Sequence, residues 1–156
     1  MANKIQNFDT GEKDNSNIIH LDLDPKINIE NKIYFKNLLK KIAECSLDDL
    51  EENLENLYHV DAEFNGFHPI NEIKGIEEIK NKYLIPLKKA FPDLERRNNL
   101  VIGGAFRDKV FVSFISHLTG TFKNEWLGVR PTNKTIYLRT CEAHQITNNK
   151  IIKSYT

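Results

Sequence analysis

Apolar residues change their period several times along the chain, and each change marks an element. Residues 1 to about 26 show no sustained period and are rich in Asn, Asp and Lys up to Pro25. Such a stretch buries too little apolar surface to offset the entropy of ordering it, which predicts a mobile polar tail (1–26) before a domain spanning 27–156. From there Ile29, Ile33, Leu38, Ile42 and Cys45 recur at near-helical spacing. Ser46 and Asp49 form a capping-like pair ahead of the stripe Leu47, Leu50, Leu54 and Leu57, so two helices are expected to abut at Ser46. Between Tyr58 and Phe67 the period falls to two, with Val60, Ala62 and Phe64 opposite Asp61 and Glu63: a short strand, ended by His68-Pro69. After Gly75, the spacing of Ile76, Ile79, Tyr83, Leu84 and Leu87 predicts a third helix, which Pro86 should kink near Leu84.

Beyond Leu94 the chain reads as strand. Leu100-Val101-Ile102 runs into Gly103-Gly104, a turn or bulge signal. Long β-rich stretches follow at Val110–Phe122 and Thr135–Ile146, separated by a loop at Gly128–Asn133. Asn148-Asn149 suits a tight hairpin because Asn tolerates positive φ, and a last strand starts at Lys150. Helices first and a meander of strands afterwards predict an α+β domain with segregated layers.

Composition narrows the function. The 156 residues include 22 basic and 22 acidic side chains. This balance removes the electrostatic argument for nucleic acid or an anionic membrane as partner. No stretch approaches the roughly 18 apolar residues of a membrane span. No apolar segment precedes a small-residue cleavage site, so a cytoplasmic location is expected. Cys45 and Cys141 lack metal-ligand spacing and read as two free thiols of a reducing compartment.

Several segments then resemble a known family in their order and spacing: His68-Pro69-Ile70-Asn71-Glu72-Ile73-Lys74-Gly75, Phe91-Pro92-Asp93-Leu94-Glu95-Arg96-Arg97 with Ile102-Gly103-Gly104, His117-Leu118-Thr119-Gly120-Thr121-Phe122 with Trp126-Leu127-Gly128-Val129 and Pro131-Thr132, and Tyr137-Leu138-Arg139 with Glu142-Ala143-His144. Over residues 55 to 156 the chain resembles the SnoaL-like polyketide cyclases, within the nuclear transport factor 2-like (cystatin-like) superfamily. The resemblance implies three helices packed on a strongly curved mixed or antiparallel sheet forming a cone. It also implies a deep apolar internal pocket for a small hydrophobic molecule, and a homodimer formed through the open sheet face. Asn133 and Asn149 stand where the family usually has glycine. The acid/base aspartate that SnoaL-like cyclases place at the end of the last strand has no counterpart here, since the sequence ends first. That leaves open a continuation of the natural chain past Thr156.

Glu142 and His144 are the strongest chemical candidates. Two apart on a strand, they face one side together with Ile136, Leu138, Thr140 and Ile146. A carboxylate and an imidazole on an apolar face can transfer protons, or can hydrogen-bond each other as a buried structural pair. His117 is a candidate orienting group, although the alternation of its strand allows either face to be inward. His68 at a strand end, Trp126 in a loop between long strands, and Phe64 and Asp61 on the first strand are candidate ligand contacts. Loop packing for His68, plugging for Trp126 and solvation for Asp61 are the structural alternatives. No local metal-binding spacing, phosphate loop, dinucleotide fingerprint or nucleophile elbow occurs. The resemblance to SnoaL-like enzymes implies proton abstraction beside a carbonyl (cyclase, isomerase or dehydratase type), which needs neither metal nor cofactor. A non-catalytic ligand-binding or dimerisation module on the same fold is the alternative.

Overall fold

The computed structural model describes residues 23–156; positions 1–22 of the expected tail, with the short apolar run Ile18-Ile19-His20-Leu21, lie outside the described residues. Helix α1 (Pro25–Glu44) starts earlier than the apolar period suggested, because Pro25 occupies its first turn and the Asp24 carboxylate accepts the N–H groups of Lys26 and Ile27 at 2.7 and 3.3 Å. Helix α1 thus takes in Pro25 and Lys26, the last two positions of the segment read as tail. Phe35, Leu39, Ile42 and Ala43 form the buried face of α1, whereas Ile29 and Ile33 stay exposed. Tyr34 is exposed too. The capping pair forms as expected. Asp49 N–H donates to Ser46 Oγ at 3.1 Å, and the Ser46 hydroxyl donates to Asp49 Oδ2 at 2.7 Å. Helix α2 (Leu50–Leu57) then buries Leu50, Leu54 and Leu57.

Strand β1 (Tyr58–Asn65) stops short of His68-Pro69 and pairs with a three-residue strand, β2 (Glu72–Lys74), too short to show a period. The third helical segment runs through α3 (Ile76–Ile79), a π-helical turn (Lys80–Leu84) and α4 (Ile85–Ala90). Pro86 has no N–H to give, and the helix widens in the turn ahead of it, where the Ile85 N–H reaches back to the Lys80 carbonyl. Lys88 lies on α4. Its Nζ donates to the Ala43 and Cys45 carbonyls at 2.9 and 2.6 Å, which closes the end of α1, and burial lowers its pKa.

Four long strands complete the sheet: β3 (Glu95–Phe106), β4 (Lys109–Thr121), β5 (Thr135–Thr147) and β6 (Lys150–Tyr155). The order is β2-β1-β6-β5-β4-β3, antiparallel throughout except for β1 beside β6, and the sheet does not close. Asn148 and Asn149 adopt φ of 50° and 58° in the β5–β6 hairpin. Gly103-Gly104 is not a turn, contrary to the sequence signal; both lie inside β3, and the reversal falls at Arg107-Asp108. Gly103 is small because α1 crosses there. A Cβ would sit 2.1 Å from Asn28 Oδ1 and 3.0 Å from Lys32 Cγ, and Asn28 Nδ2 donates to the Gly103 carbonyl at 3.0 Å. Gly103→Ala is expected to cost about 1–3 kcal/mol in urea unfolding through forced displacement of α1. Gly104→Ala, where a Cβ meets nothing within 4 Å, should show no such loss.

A bulge between Asn98 and Leu100 reverses the alternation of β3. Leu94 and Arg96 point into the core before it, while Leu100 and Ile102 point outward after it. Among the described residues no helix is long and apolar enough to cross a membrane.

Candidate active site

The register of β4 against β5 places Val112 opposite His144, Phe114 opposite Glu142 and Leu118 opposite Leu138. The even-numbered residues of both strands therefore share the concave face. Glu142 and His144 accordingly turn inward, 5% and 2% exposed. Beside them lies a cation that the sequence reading missed. Arg96 Nη1 and Nη2 donate to Glu142 Oε1 and Oε2 at 3.0 and 2.6 Å, a two-point pairing shielded from solvent on both sides. Arg96 Nη2 also donates to Ser116 Oγ at 3.0 Å, Arg96 Nε donates to Asn98 Oδ1 at 2.9 Å, and the Ser116 hydroxyl donates to the same Asn98 oxygen at 2.9 Å. The guanidinium lies 5.5 Å from the centre of the Phe114 ring.

His144 is held from two sides. Nδ1 is 2.8 Å from Ser154 Oγ on β6, and Nε2 is 3.4 Å from Glu142 Oε2. The Ser154 hydroxyl in turn donates to Tyr58 Oη at 3.4 Å. With the Ser154 hydroxyl donating to Tyr58, Ser154 Oγ accepts from His144 Nδ1–H, and Nε2 makes a hydrogen bond to the Glu142 carboxylate only when it too carries a proton. Burial works against the charge on Glu142. The hydrogen bond from His144 when its Nε2 carries a proton, those from Arg96 and the Arg96 charge outweigh it and hold the carboxyl at about 2. Burial pushes the Tyr58 hydroxyl up to about 12, against the hydrogen bond with Ser154. Tyr83, on the π-helical turn, is pushed up further by burial and by the Glu142 charge. Both phenols therefore remain protonated donors at neutral pH.

Glu142, His144, Arg96, Tyr58 and Tyr83 line one inner cavity, with Phe64 in its apolar wall. Its volume is about 50 Å3, enough for a few waters, whereas the family resemblance implied room for a whole ligand. A larger chamber of about 440 Å3 adjoins it, walled by Phe67, Trp126, Tyr137 and Thr140 among others. Tyr83, Leu87, Leu118 and Thr156 border both spaces.

The other candidates separate from this cluster. His117 has odd parity on β4, so it lies on the convex face and contacts Asn99 Oδ1 at 2.7 Å; the expectation that it orients the Glu142–His144 pair does not match its position. Asp61 and His68 are exposed and border neither space, because Asp61 alternates outward on β1 and His68 falls in the loop after it. Trp126 borders the outer chamber, edge-on to Phe67 and Phe91 at 6.0 and 5.7 Å. Among the described residues no three His, Cys, Asp or Glu side chains gather into a metal-binding group.

Helices on one face of a curved mixed sheet, enclosing polar groups at the base of the concave side, define the nuclear transport factor 2-like cone. The sequence model of the SnoaL-like polyketide cyclase family matches residues 36–155, and the chain belongs to that family. Solved structures agree on the fold. AclR, a proposed hydroxylase from Streptomyces galilaeus, superposes with a TM-score of 0.63 at 20% identity, covering 81% of this chain and 73% of its own. A proposed SnoaL-like polyketide cyclase from Jannaschia sp. CCS1 gives 0.62 at 17% identity over 86% and 88%. A nuclear transport factor 2-like protein from Salmonella enterica gives 0.64 at 14% identity over 83% and 89%. No curated protein matches the sequence.

Proposed function

We propose that this chain is a small-molecule enzyme that moves a proton at a carbon next to a carbonyl, with His144 as the base. The observation that carries it is the buried cluster in which Glu142 stays anionic beside His144 Nε2 on the wall of a cavity. His144 Nε2 takes the proton, the electron pair shifts to the carbonyl oxygen, and the ring becomes an imidazolium held between the Glu142 carboxylate and Ser154 Oγ. Glu142 is then a positioning and charge-stabilising group rather than the base, since a carboxyl held at about 2 is a weak proton acceptor. Tyr83 makes no side-chain hydrogen bond among the described residues and lines the same cavity, so its hydroxyl is the donor for the developing oxyanion.

The test is deuterium exchange into the α-position of a bicyclic aryl ketone, 1-tetralone, followed by NMR in D2O. Wild-type protein should accelerate exchange, and His144→Gln should return it to the buffer rate. A wild type no faster than His144→Gln sinks the proposal. The small inner cavity favours a second reading, in which the cluster is a structural core pair of a non-catalytic module. That reading predicts no exchange and a loss of stability alone.

The free thiols of Cys45 and Cys141 fit a cytoplasmic setting. Exposed Leu100, Ile102 and Tyr137 on the convex sheet face fit a homodimer interface. Sedimentation at micromolar concentration should give twice the chain mass, and Ile102→Lys should shift it towards the monomer.

A further inference from the structure

We infer that Lys88 is a nucleophilic amine that captures small uncharged aldehydes, as imines, from the groove beside the end of α1. A lysine is seldom buried without a counter-charge. Lys80 and Lys153, both less buried, pair with Glu51 and Glu77 and with Glu63. Lys88 is only 7% exposed, yet among the described residues its Nζ meets two backbone carbonyls, Ala43 at 2.9 Å and Cys45 at 2.6 Å. A carboxylate would lock the proton on the side chain, whereas neutral carbonyls accept hydrogen bonds from either form. A neutral amine has two N–H groups. The two carbonyls take both, which leaves the lone pair at the remaining position. Burial is the largest influence on this proton and favours the neutral form. Cys45 and Glu44, at the end of α1, act the other way and are outweighed. Desolvated lysines of this kind are the ones that form imines with carbonyl compounds.

Lys88 also belongs to the wall of a groove of about 670 Å3, where Lys40, Glu44, Asp93 and Glu95 are the other charged side chains. That volume admits a small molecule. With Lys88 neutral, one cation there faces three carboxylates, which disfavours an anionic oxo acid and selects an uncharged aldehyde. The groove shares no residue with the outer chamber. Lys88, Ala43 and Leu94 stand between it and the inner cavity, bordering both. In the capture step the Nζ–carbon bond forms as the C=O π pair moves to oxygen, which takes one amine proton. The C–O bond then breaks, and the oxygen departs as water with the second amine proton, leaving C=N. None of this requires proton transfer at His144.

Cyanoborohydride makes such an imine permanent. The full chain would be incubated with acetaldehyde and this reductant from neutral to alkaline pH, with ethylation followed at each lysine by peptide mass spectrometry. At neutral pH Lys88 should react roughly 10-fold faster than the exposed Lys36 and Lys40. Its rate should level off at a lower pH than theirs, because a lysine with a lowered pKa loses its proton earlier as the pH rises. Pyruvate in place of acetaldehyde should abolish the preference for Lys88. Cys45→Ser keeps the backbone carbonyl and removes the thiol, and Lys88 should remain the fastest site. A Lys88 no faster than Lys36, or one whose rate climbs with pH in parallel with Lys36, would overturn the inference. Equal preference for Lys88 with pyruvate would overturn the choice of an uncharged partner, and a Cys45→Ser protein with a slow Lys88 would place the capture on the thiol instead.

Discussion

Arg96→Met should remove about 3–5 kcal/mol of folding stability at neutral pH, a drop in melting temperature on the order of 10 °C for a chain of this size. The loss does not come from the strength of the ion pair itself. It comes from leaving the Glu142 carboxylate, 5% exposed, without its counter-charge. The double variant Arg96→Met/Glu142→Leu should recover much of the loss, since no uncompensated charge then remains. Acid supplies the sign. Glu142 titrates at about 2 in the folded state against an ordinary value of 4.5, so its contribution is present above pH 4.5 and is lost as the pH falls towards 2. Wild-type stability should therefore decline across that window. Arg96→Met should show a smaller decline, because its stranded carboxylate gains from protonation. Parallel urea curves at pH 7 and pH 3 give all four values. An Arg96→Met protein as stable as wild type at pH 7 would mean that the pair is solvated.

His144→Gln should lower tetralone exchange by about 10²–10⁴-fold, the usual contribution of a positioned general base, while the protein stays folded. Glu142→Gln keeps the shape but removes the charge facing Nε2. It should slow exchange less than His144→Gln does, and it should also destabilise the protein by leaving Arg96 unpaired. Tyr83→Phe removes one donor and should cost about 10²–10³-fold in rate with little change in tetralone affinity. The pattern singles out the charge partner, which loses rate and stability, whereas the base and the oxyanion donor lose rate alone and differ in how much. If Glu142→Gln proved the most damaging of the three for exchange at equal stability, the carboxylate would be the base.

The inward placement of Glu142 and His144 was legible because a strand repeats every two residues, and Leu138 and Ile146 fix which face is apolar. The same rule applied to His117 was ambiguous from one strand alone. The β4–β5 register decides it, by setting Ser116 and Leu118 beside the inward residues of β5. Arg96 was hidden for a related reason. It sits in the polar run Glu95 to Asn99, and the bulge at Asn98–Leu100 cuts that run off from the alternation of the apolar stretch after it. A signal was available nonetheless, since a carboxylate assigned to an apolar face requires a cation nearby. Gly103 was misread because glycine marks both turns and close crossings, and only the packing of α1 distinguishes them. Tyr83 looked like ordinary core, and nothing in its helical spacing announces that its hydroxyl faces a cavity.

The one parallel pairing in the sheet governs the order in which the chain can assemble. Residues 150–155 pair on one side with β1, some ninety positions earlier, as in Tyr58 with Ile151, and on the other with β5. Until they emerge, β1 and β5 each present an unpaired inner edge, and His144 lacks Ser154. Contacts so distant in sequence close slowly, and open edges invite pairing with other chains. Synthesis arrested before Lys150 should therefore yield an aggregating species rather than a smaller version of the cone.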